Sequence, residues 1–372
     1  MNTTSRTVLS LCTVALMLAG SSVRADFTFG EPVNLKSIIP VIDPAYDMIS
    51  CFSYDDLEMY FMSERQGTSG SGEWDLWVSR RASSDEAWGP PENLGPIVNS
   101  AKTDGAASIS ADGLTLYFSS DRPGGYGNFD IYVTTRATRQ DPWGQPVNLG
   151  PKINKPVVGD VTPWISADDL ELYLESYRSG GYGRADIYVS RRATLHDPWG
   201  EPVNLGPVVN TPYHEAYPSL SPDGLVLFFT DGAFPRPGGY GSADMWMTRR
   251  ASLSDPWQTP VNLGPVVNGP DVDNPPRISP DGRRIYFFSG VNEDPTTWNN
   301  YQAEIIPIMD FNADGVVDLA DLVILIDNWG TNSTLCDIGP HAWGDGVVDV
   351  KDLKVFIAEW EKENAVNSGD GK

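Results

Sequence analysis

Apolar residues in this chain come in short alternating runs that recur with one spacing and one punctuation. The segments CFSYDDLEMYFMS (51–63), SISADGLTLYFSS (108–120), WISADDLELYLES (164–176), SLSPDGLVLFFTD (219–231) and RISPDGRRIYFFS (277–289) are a single pattern written five times. Each holds two β-prone runs joined by a D-G or D-D turn, which predicts a tight hairpin. A third strand follows in EWDLWVSRRA (73–82), NFDIYVTTRA (128–137), RADIYVSRRA (184–193) and SADMWMTRRA (242–251). A fourth, short strand lies in GEPVNL, GPPENL, GQPVNL, GEPVNL and QTPVNL, introduced by Trp88, Trp143, Trp199 and Trp257, with Phe29 in the first copy. Four strands per unit, with 55 to 58 residues between those tryptophans, is the arithmetic of a propeller blade. The pattern therefore predicts an all-β, five-bladed β-propeller over residues 26–307, with repeats starting near 29, 88, 143, 199 and 257.

The phase of the repeat adds a closure. Every copy begins with its short strand, while the last copy ends after its third, near 301–306. The strand at Glu31–Leu35 is expected to supply the missing partner and close the ring, which removes an exposed sheet edge. The recurring S-x-D-G-x-x-L-Y-F-x-S, the G-G-Y-G loop, the D-I-Y-V strand and the P-V-N-L-G turn resemble the WD40-like propeller repeat of exported bacterial proteins. That resemblance implies a fold and a tendency to bind proteins, peptides or glycans rather than one reaction.

After Pro307 the period changes. Asp310, Asn312, Asp314, the Val316 carbonyl, Asp318 and Asp321 stand at positions 1, 3, 5, 7, 9 and 12 of a D-x-N-x-D-G loop. Such hard oxygen donors suit calcium, and Gly315 at position 6 permits the sharp turn. A helix with Leu322, Leu325, Ile326 and Trp329 on one side follows, and Leu353, Phe356, Ile357 and Trp360 repeat it 31 residues later. The duplicated loop and helix over 308–361 resemble a type I dockerin, a calcium-binding α-helical module that implies a cohesin-like partner. The second loop, read with His341 and Trp343 at positions 1 and 3, keeps Asp345, the Val347 carbonyl, Asp349 and Asp352, with Asp337 in reach, and reads as a weak calcium site. Residues 362–372 read as a disordered tail.

The N-terminus supplies the compartment. Arg6, the short apolar run 8–18 and Val23-Arg24-Ala25 read as a signal peptide over 1–25, too short to span a bilayer. An extracellular or periplasmic, secreted protein with no membrane insertion is the expectation. The formal charge is −24, and removing Arg6 and Arg24 takes it to −26. A surface of that sign repels phosphates, so nucleic acid is excluded as a partner. Cys51 and Cys336 fall in different predicted domains, which disfavours a disulfide between them although an oxidising compartment would permit one. Nothing in the pattern calls for an oligomer, so a monomer is expected.

Most repeated polar residues read as architecture. Asp55, Asp112, Asp168, Asp223 and Asp281 suit the hairpin turns, and Asn34, Asn93, Asn148, Asn204 and Asn262 suit loop backbone. Asp75, Asp130, Asp186 and Asp244 are expected to pair with Arg65, Arg122, Arg178 and Arg236 in their own blades. Asp47, Asp104, Asp160, Glu215 and Asp273 precede each turn by eight residues and would ring one mouth of the channel. Like charges so placed want a cation, a ligand or hydrogen bonds. The ring is thus a candidate ligand site, with capping of neighbouring loops as the other reading. Glu215, beside His214 and Tyr213, is the best acid candidate, with Asp47 and Asp160 after it. Tyr126, Tyr182, Tyr240 and Trp74 either stack on sugars or pack over blade edges. These features predict a calcium-binding, non-catalytic binding or scaffold protein that recognises a glycan, peptide or protein. The alternative is a polysaccharide-degrading enzyme, a glycoside hydrolase or lyase, with an acidic site in the channel.

Overall fold

The structure, a computed structural model, describes residues 27–39, 42, 47–65, 74–232, 235–291, 298–312, 316–333 and 335–369. The segment read as a signal peptide lies outside these residues. Five antiparallel sheets follow one another around a central channel. Blade one is built from Asp47–Phe52, Glu58–Ser63, Asp75–Arg80 and Glu92–Asn93, and blades two to four repeat it. Blade five takes Val272–Ile278, Arg284–Gly290 and Asn299–Pro307 from the end of the repeats. Its outer strands come from the start of the chain: Phe27–Phe29 pairs with Ile305 to Pro307, and Val33–Asn34 with Tyr301 and Gln302.

The repeat sequence explains the repeat geometry. In every turn a serine hydroxyl (Ser53, Ser110, Ser166, Ser221, Ser279) donates to the aspartate two residues on, at 2.5 to 2.6 Å. The same carboxylate accepts the N–H two residues further along, so the turn is closed from within. Between blades, Trp143, Trp199 and Trp257 meet Tyr60, Tyr117 and Tyr173 of the preceding blade edge-on at 6.3 to 6.5 Å. Arg81, Arg136, Arg192 and Arg250 lie over Trp88, Trp143, Trp199 and Trp257 at 4.3 to 4.6 Å. Arg136 also pairs with Glu58 and Arg250 with Glu171, each across a blade boundary.

The expected pairing of Asp75, Asp130, Asp186 and Asp244 with arginine is corrected. These carboxylates accept instead from Asn93, Asn148, Asn204 and Asn262 at 2.7 to 2.9 Å. Three of them also take backbone N–H groups of the G-G-Y-G loops, such as Tyr182 N and Gly183 N on Asp186. The arginines turn to the inner strand, as described below.

Beyond Pro307 come two helices, Leu319–Asp327 and Val350–Gly369, around Met309, Phe311, Leu325, Cys336, Ile338, Val348 and Phe356. The second helix runs on through 362–369, where a disordered tail is expected from the sequence. Asp318 caps the first helix in a capping box with Asp321. Asp321 Oδ1 accepts from the N–H groups of Phe311 and Asn312, and Asp352 Oδ1 from those of Ile338 and Gly339. The second loop therefore starts at Asp337, whose carboxylate takes Asp345 N and Gly346 N, and not at His341. The extra residues turn outward onto the propeller. Trp343 Nε1 donates to Asp223 Oδ2 at 2.8 Å, and its ring packs edge-on against Phe27 and Phe228. Cys51 and Cys336 are both buried and unpaired. Among the described residues no helix is long and apolar enough to cross a membrane.

Candidate functional site

In each blade the innermost strand is irregular, its register slipping between Gly105 and Ser108, Val161 and Trp164, and Ala216 and Ser219 in blades two to four. At these bulges Ala106, Thr162 and Tyr217 hold φ of 50°, 50° and 54°, which L-residues adopt only at a cost. All three line one cavity of about 730 Å³ at the mouth of the channel. Trp74, Phe129, Tyr177 and Met62 add apolar wall. Backbone strain gathered at one concave site is a pointer to function.

Glu175 is the only carboxylate among the described residues that line this cavity, which holds no Lys, Arg or His. It sits in the second strand of blade three, opposite Val161. Its Oε1 lies 3.1 Å from His214 Nε2, and its Oε2 accepts from Thr162 Oγ1 at 3.3 Å. Tyr177, two residues on, places its hydroxyl 3.5 Å from the same imidazole nitrogen. Burial and the neighbouring Glu175 push the Tyr177 phenol well above its usual range. Gly232 makes room for the histidine: a Cβ there would come within 2.6 Å of His214 Nδ1. His214 Nδ1 itself is buried without a hydrogen-bond partner.

The acidic ring exists but does not form this site. Asp47, Asp104 and Asp160 have fully buried side chains, paired with Arg65, Arg122 and Arg178 of their own blades. Glu215 accepts from Thr211 N at 2.9 Å and from the Thr211 hydroxyl, with Arg236 3.9 Å away. Asp273 takes Gly269 N at 2.6 Å and the Ser289 hydroxyl. None of the five lines the cavity, and each already has a charged or hydrogen-bonding partner, the geometry that the reading as caps of neighbouring loops expects. Burial still raises Glu215 to about 7 and Asp273 to about 6. Tyr126, Tyr182 and Tyr240 are exposed on the loops and do not line the cavity, whereas Trp74 does.

Glu175 escaped the sequence reading because it sits inside a strand repeat. The signal was there: the other four copies carry Met62, Ser119, Thr230 and Phe288 at its place. His214 is equally singular, matched by Thr103, Gly159 and Val272 in other blades.

No family model matches the chain, and no curated protein matches it. The resemblances to the WD40-like repeat and to dockerins thus rest on no family match. Solved structures share the fold. TolB from Acinetobacter baumannii aligns at 15% identity and TM-score 0.41, over 69% of this chain and 54% of its own. The chain thus spans about half of that protein's length. An α-L-arabinofuranosidase from Lactobacillus brevis aligns at 15% identity and TM-score 0.46, over 74% of this chain and 94% of its own. A GH43 endo-arabinanase from Bacillus licheniformis aligns at 14% and 0.45, over 68% and 94%. Glycosidases stand among these structures, and the expectation of a non-catalytic binding or scaffold protein is not carried further. At these identities the likeness itself speaks for the fold alone.

Proposed function

We propose that this chain cleaves glycosidic bonds of a polysaccharide by hydrolysis, with Glu175 as the proton-transferring carboxylate. The observation that carries the reading is the placement of one singular acid, Glu175, in a strained, aromatic-walled cavity against His214 and Tyr177. Glycoside hydrolysis moves one proton to the leaving oxygen and takes another from the attacking water, in most such enzymes through two carboxylates. Glu175, the one carboxylate among the described residues that line the cavity, would serve one of these two transfers. In this cavity Glu175 meets the substrate. His214, on Glu175 Oε1, and Thr162, on Oε2, are positioning residues that fix the carboxylate plane. Trp74, Phe129 and Tyr217 offer apolar faces for sugar rings. Release of reducing ends from a panel of plant and bacterial polysaccharides, arabinan among them, tests the reading. The natural chain should release sugar from at least one, and Glu175→Gln should lower that rate by about 10²- to 10⁴-fold. Equal rates in the two proteins would sink it.

The C-terminal segment carries a second proposal of its own. Calcium would be held in the first loop by Asp310, Asn312, Asp314, the Val316 carbonyl, Asp318 and Asp321. Asp314 lies outside the described residues, and among those described no three acidic, His or Cys side chains converge. The donor set is all oxygen, and the buried Asp321 already ties both ends of the loop together through backbone amides. In the second loop Lys351 pairs with Asp345 and lies 3.7 Å from Asp349, so a side-chain cation competes for that site. Titration calorimetry should find one calcium per chain, lost in Asp310→Ala with Asp321→Ala. Retention of calcium by that double variant would refute the assignment. A calcium-ordered module of this kind would serve to attach the propeller to a cohesin-like protein partner.

A further inference from the structure

The strand tyrosines of blades two and three, Tyr117, Tyr132, Tyr173 and Tyr188, are at most 5% exposed, whereas Tyr126, Tyr182 and Tyr240 of the G-G-Y-G loops are 44%, 49% and 53% exposed. Everything else in those loops has a duty to the fold. Asp130, Asp186 and Asp244 accept the tyrosine N–H at 2.5 to 2.6 Å and the next glycine N–H at 2.9 Å. A Cβ on Gly125, Gly181 or Gly239 would come within 2.1 to 2.5 Å of the same carboxylates. A Cβ on Gly127, Gly183 or Gly241 would come within 2.0 to 2.4 Å of backbone oxygens in the chain leading into the next blade. The backbone of each tyrosine is thus fixed from both sides, while its ring stands half in solvent. A bulky aromatic side chain repeated three times in that position serves no core.

The three rings share a face with the Glu175 cavity. Asp104, Ser120 and Asp130 lie in one row across blade two, and Asp160, Ser176 and Asp186 in the matching row of blade three. The G-G-Y-G loops therefore leave the sheets at the end where Thr103, Gly105 and Gly159 line the cavity. Tyr126 adjoins its rim: Tyr126 O accepts Val157 N at 3.2 Å, and Val157, Asn128 and Phe129 are cavity wall. Blades two, three and four also supply the kinked Ala106, Thr162 and Tyr217 to that wall, whereas the corresponding segments 64–74 and 290–298 of blades one and five contain no tyrosine.

We propose that Tyr126, Tyr182 and Tyr240 form a binding track for a neutral polysaccharide chain, which runs from the rim of the Glu175 cavity over blades two to four. The choice of ligand rests on the hydrolase reading above. A phenol ring offers a flat apolar face to the C–H face of a sugar and a hydroxyl to its edge. Each ring stands between two glycines, so it is an isolated platform rather than part of the continuous apolar core that a protein interface needs. A formal charge of −24 disfavours polyanions, which leaves uncharged glycans. A repeating polymer is met by a repeating residue, and three weak contacts on one chain reinforce one another.

Affinity electrophoresis of the full chain carrying Glu175→Gln, in gels cast with arabinan, arabinoxylan, galactomannan or mixed-linkage β-glucan, tests the track. At least one polysaccharide should retard the protein. Adding Tyr126→Ser, Tyr182→Ser and Tyr240→Ser should weaken that retardation by about tenfold or more. Phenylalanine at the same three positions should keep most of it, with melting temperatures alike in all three proteins. No retardation in any gel, or equal retardation with and without the tyrosines, would overturn the proposal. Tyrosine-dependent retardation of a chain whose natural form releases no sugar would uphold the track and defeat the hydrolase reading. Sugar release with retardation indifferent to the tyrosines would do the reverse.

Discussion

Asp160 and Glu175 lie on neighbouring strands of blade three, where Asp160 faces Ser176 and Val161 faces Glu175. Both carboxylates are buried, yet their surroundings are opposed. Asp160 meets Arg178, the Ser176 hydroxyl and Lys155 N, so its acceptor capacity is spent within its own blade. Its counterparts in blades one and two are closed by arginine in the same way. Glu175 faces a cavity and touches groups that can lose, gain or share a proton. The lesson is that, in a repeat protein, what recurs supports the fold, and what occurs once is free to do chemistry.

The comparison can be broken by substitution. Asp160→Ala strands a buried guanidinium, and unfolding in urea should show a loss of about 3–5 kcal/mol. Glu175→Gln leaves no charge behind, and the same measurement should move by less than about 1 kcal/mol while hydrolysis is lost. If both variants lose stability equally, the distinction between the two acids fails.

Glu215 sharpens it at the next level. Its folded form ionises near 7 rather than near 4.5, because burial opposes the charge. The stability it contributes is therefore complete below about 4.5 and is lost as the pH rises through about 7. Melting followed from pH 4.5 to 8 should fall in the natural chain, and Glu215→Gln should flatten that fall by about 3 kcal/mol. Asp231 and Asp273, both raised to about 6, act with the same sign and leave a residual slope. A stability that climbs over this range in the natural chain would contradict the assignment.

The smallest effect concerns the cavity wall. Ala106 holds φ at 50° beside the site, so Ala106→Gly should relieve strain and stabilise the fold by about 0.5 kcal/mol. Turnover should drop if that strained backbone shapes the cavity. Unchanged turnover would mean that the kink serves the bulge alone.

The propeller was legible in the sequence because five copies average out the noise of any one. The seam strand Val33–Asn34 also follows from the phase of the repeat, whereas the second closing strand, Phe27–Phe29, has no counterpart in the repeat and was not foreseen. The partner of each arginine was not legible. Ser63 faces Asp47 on one side and Asp75 on the other, so Arg65, two residues on, had two equivalent candidates in spacing alone. Only the asparagine of the outer strand, which takes Asp75, decides between them. Glu175 was hidden for the opposite reason: a single departure within a repeat is indistinguishable from drift until a cavity is seen beside it. In the second loop, counting back from Asp352 gave the wrong first residue, because extra residues carrying Trp343 separate Asp337 from Asp345.

Trp343 has a mechanical consequence. Phe27 faces Pro307, so the chain enters and leaves the ring at one end of the same strand pair. Tension applied there would peel that pair open one hydrogen bond at a time, the weakest way to load a sheet. A pull arriving through the C-terminal helix is shared between Phe311, which packs on Phe356, and Trp343, whose indole is tied to Asp223 and Phe228 in blade four. The force is then divided between blade four and the seam residue Phe27, which the same indole touches. An indole in a turn acts as strain relief on a tether.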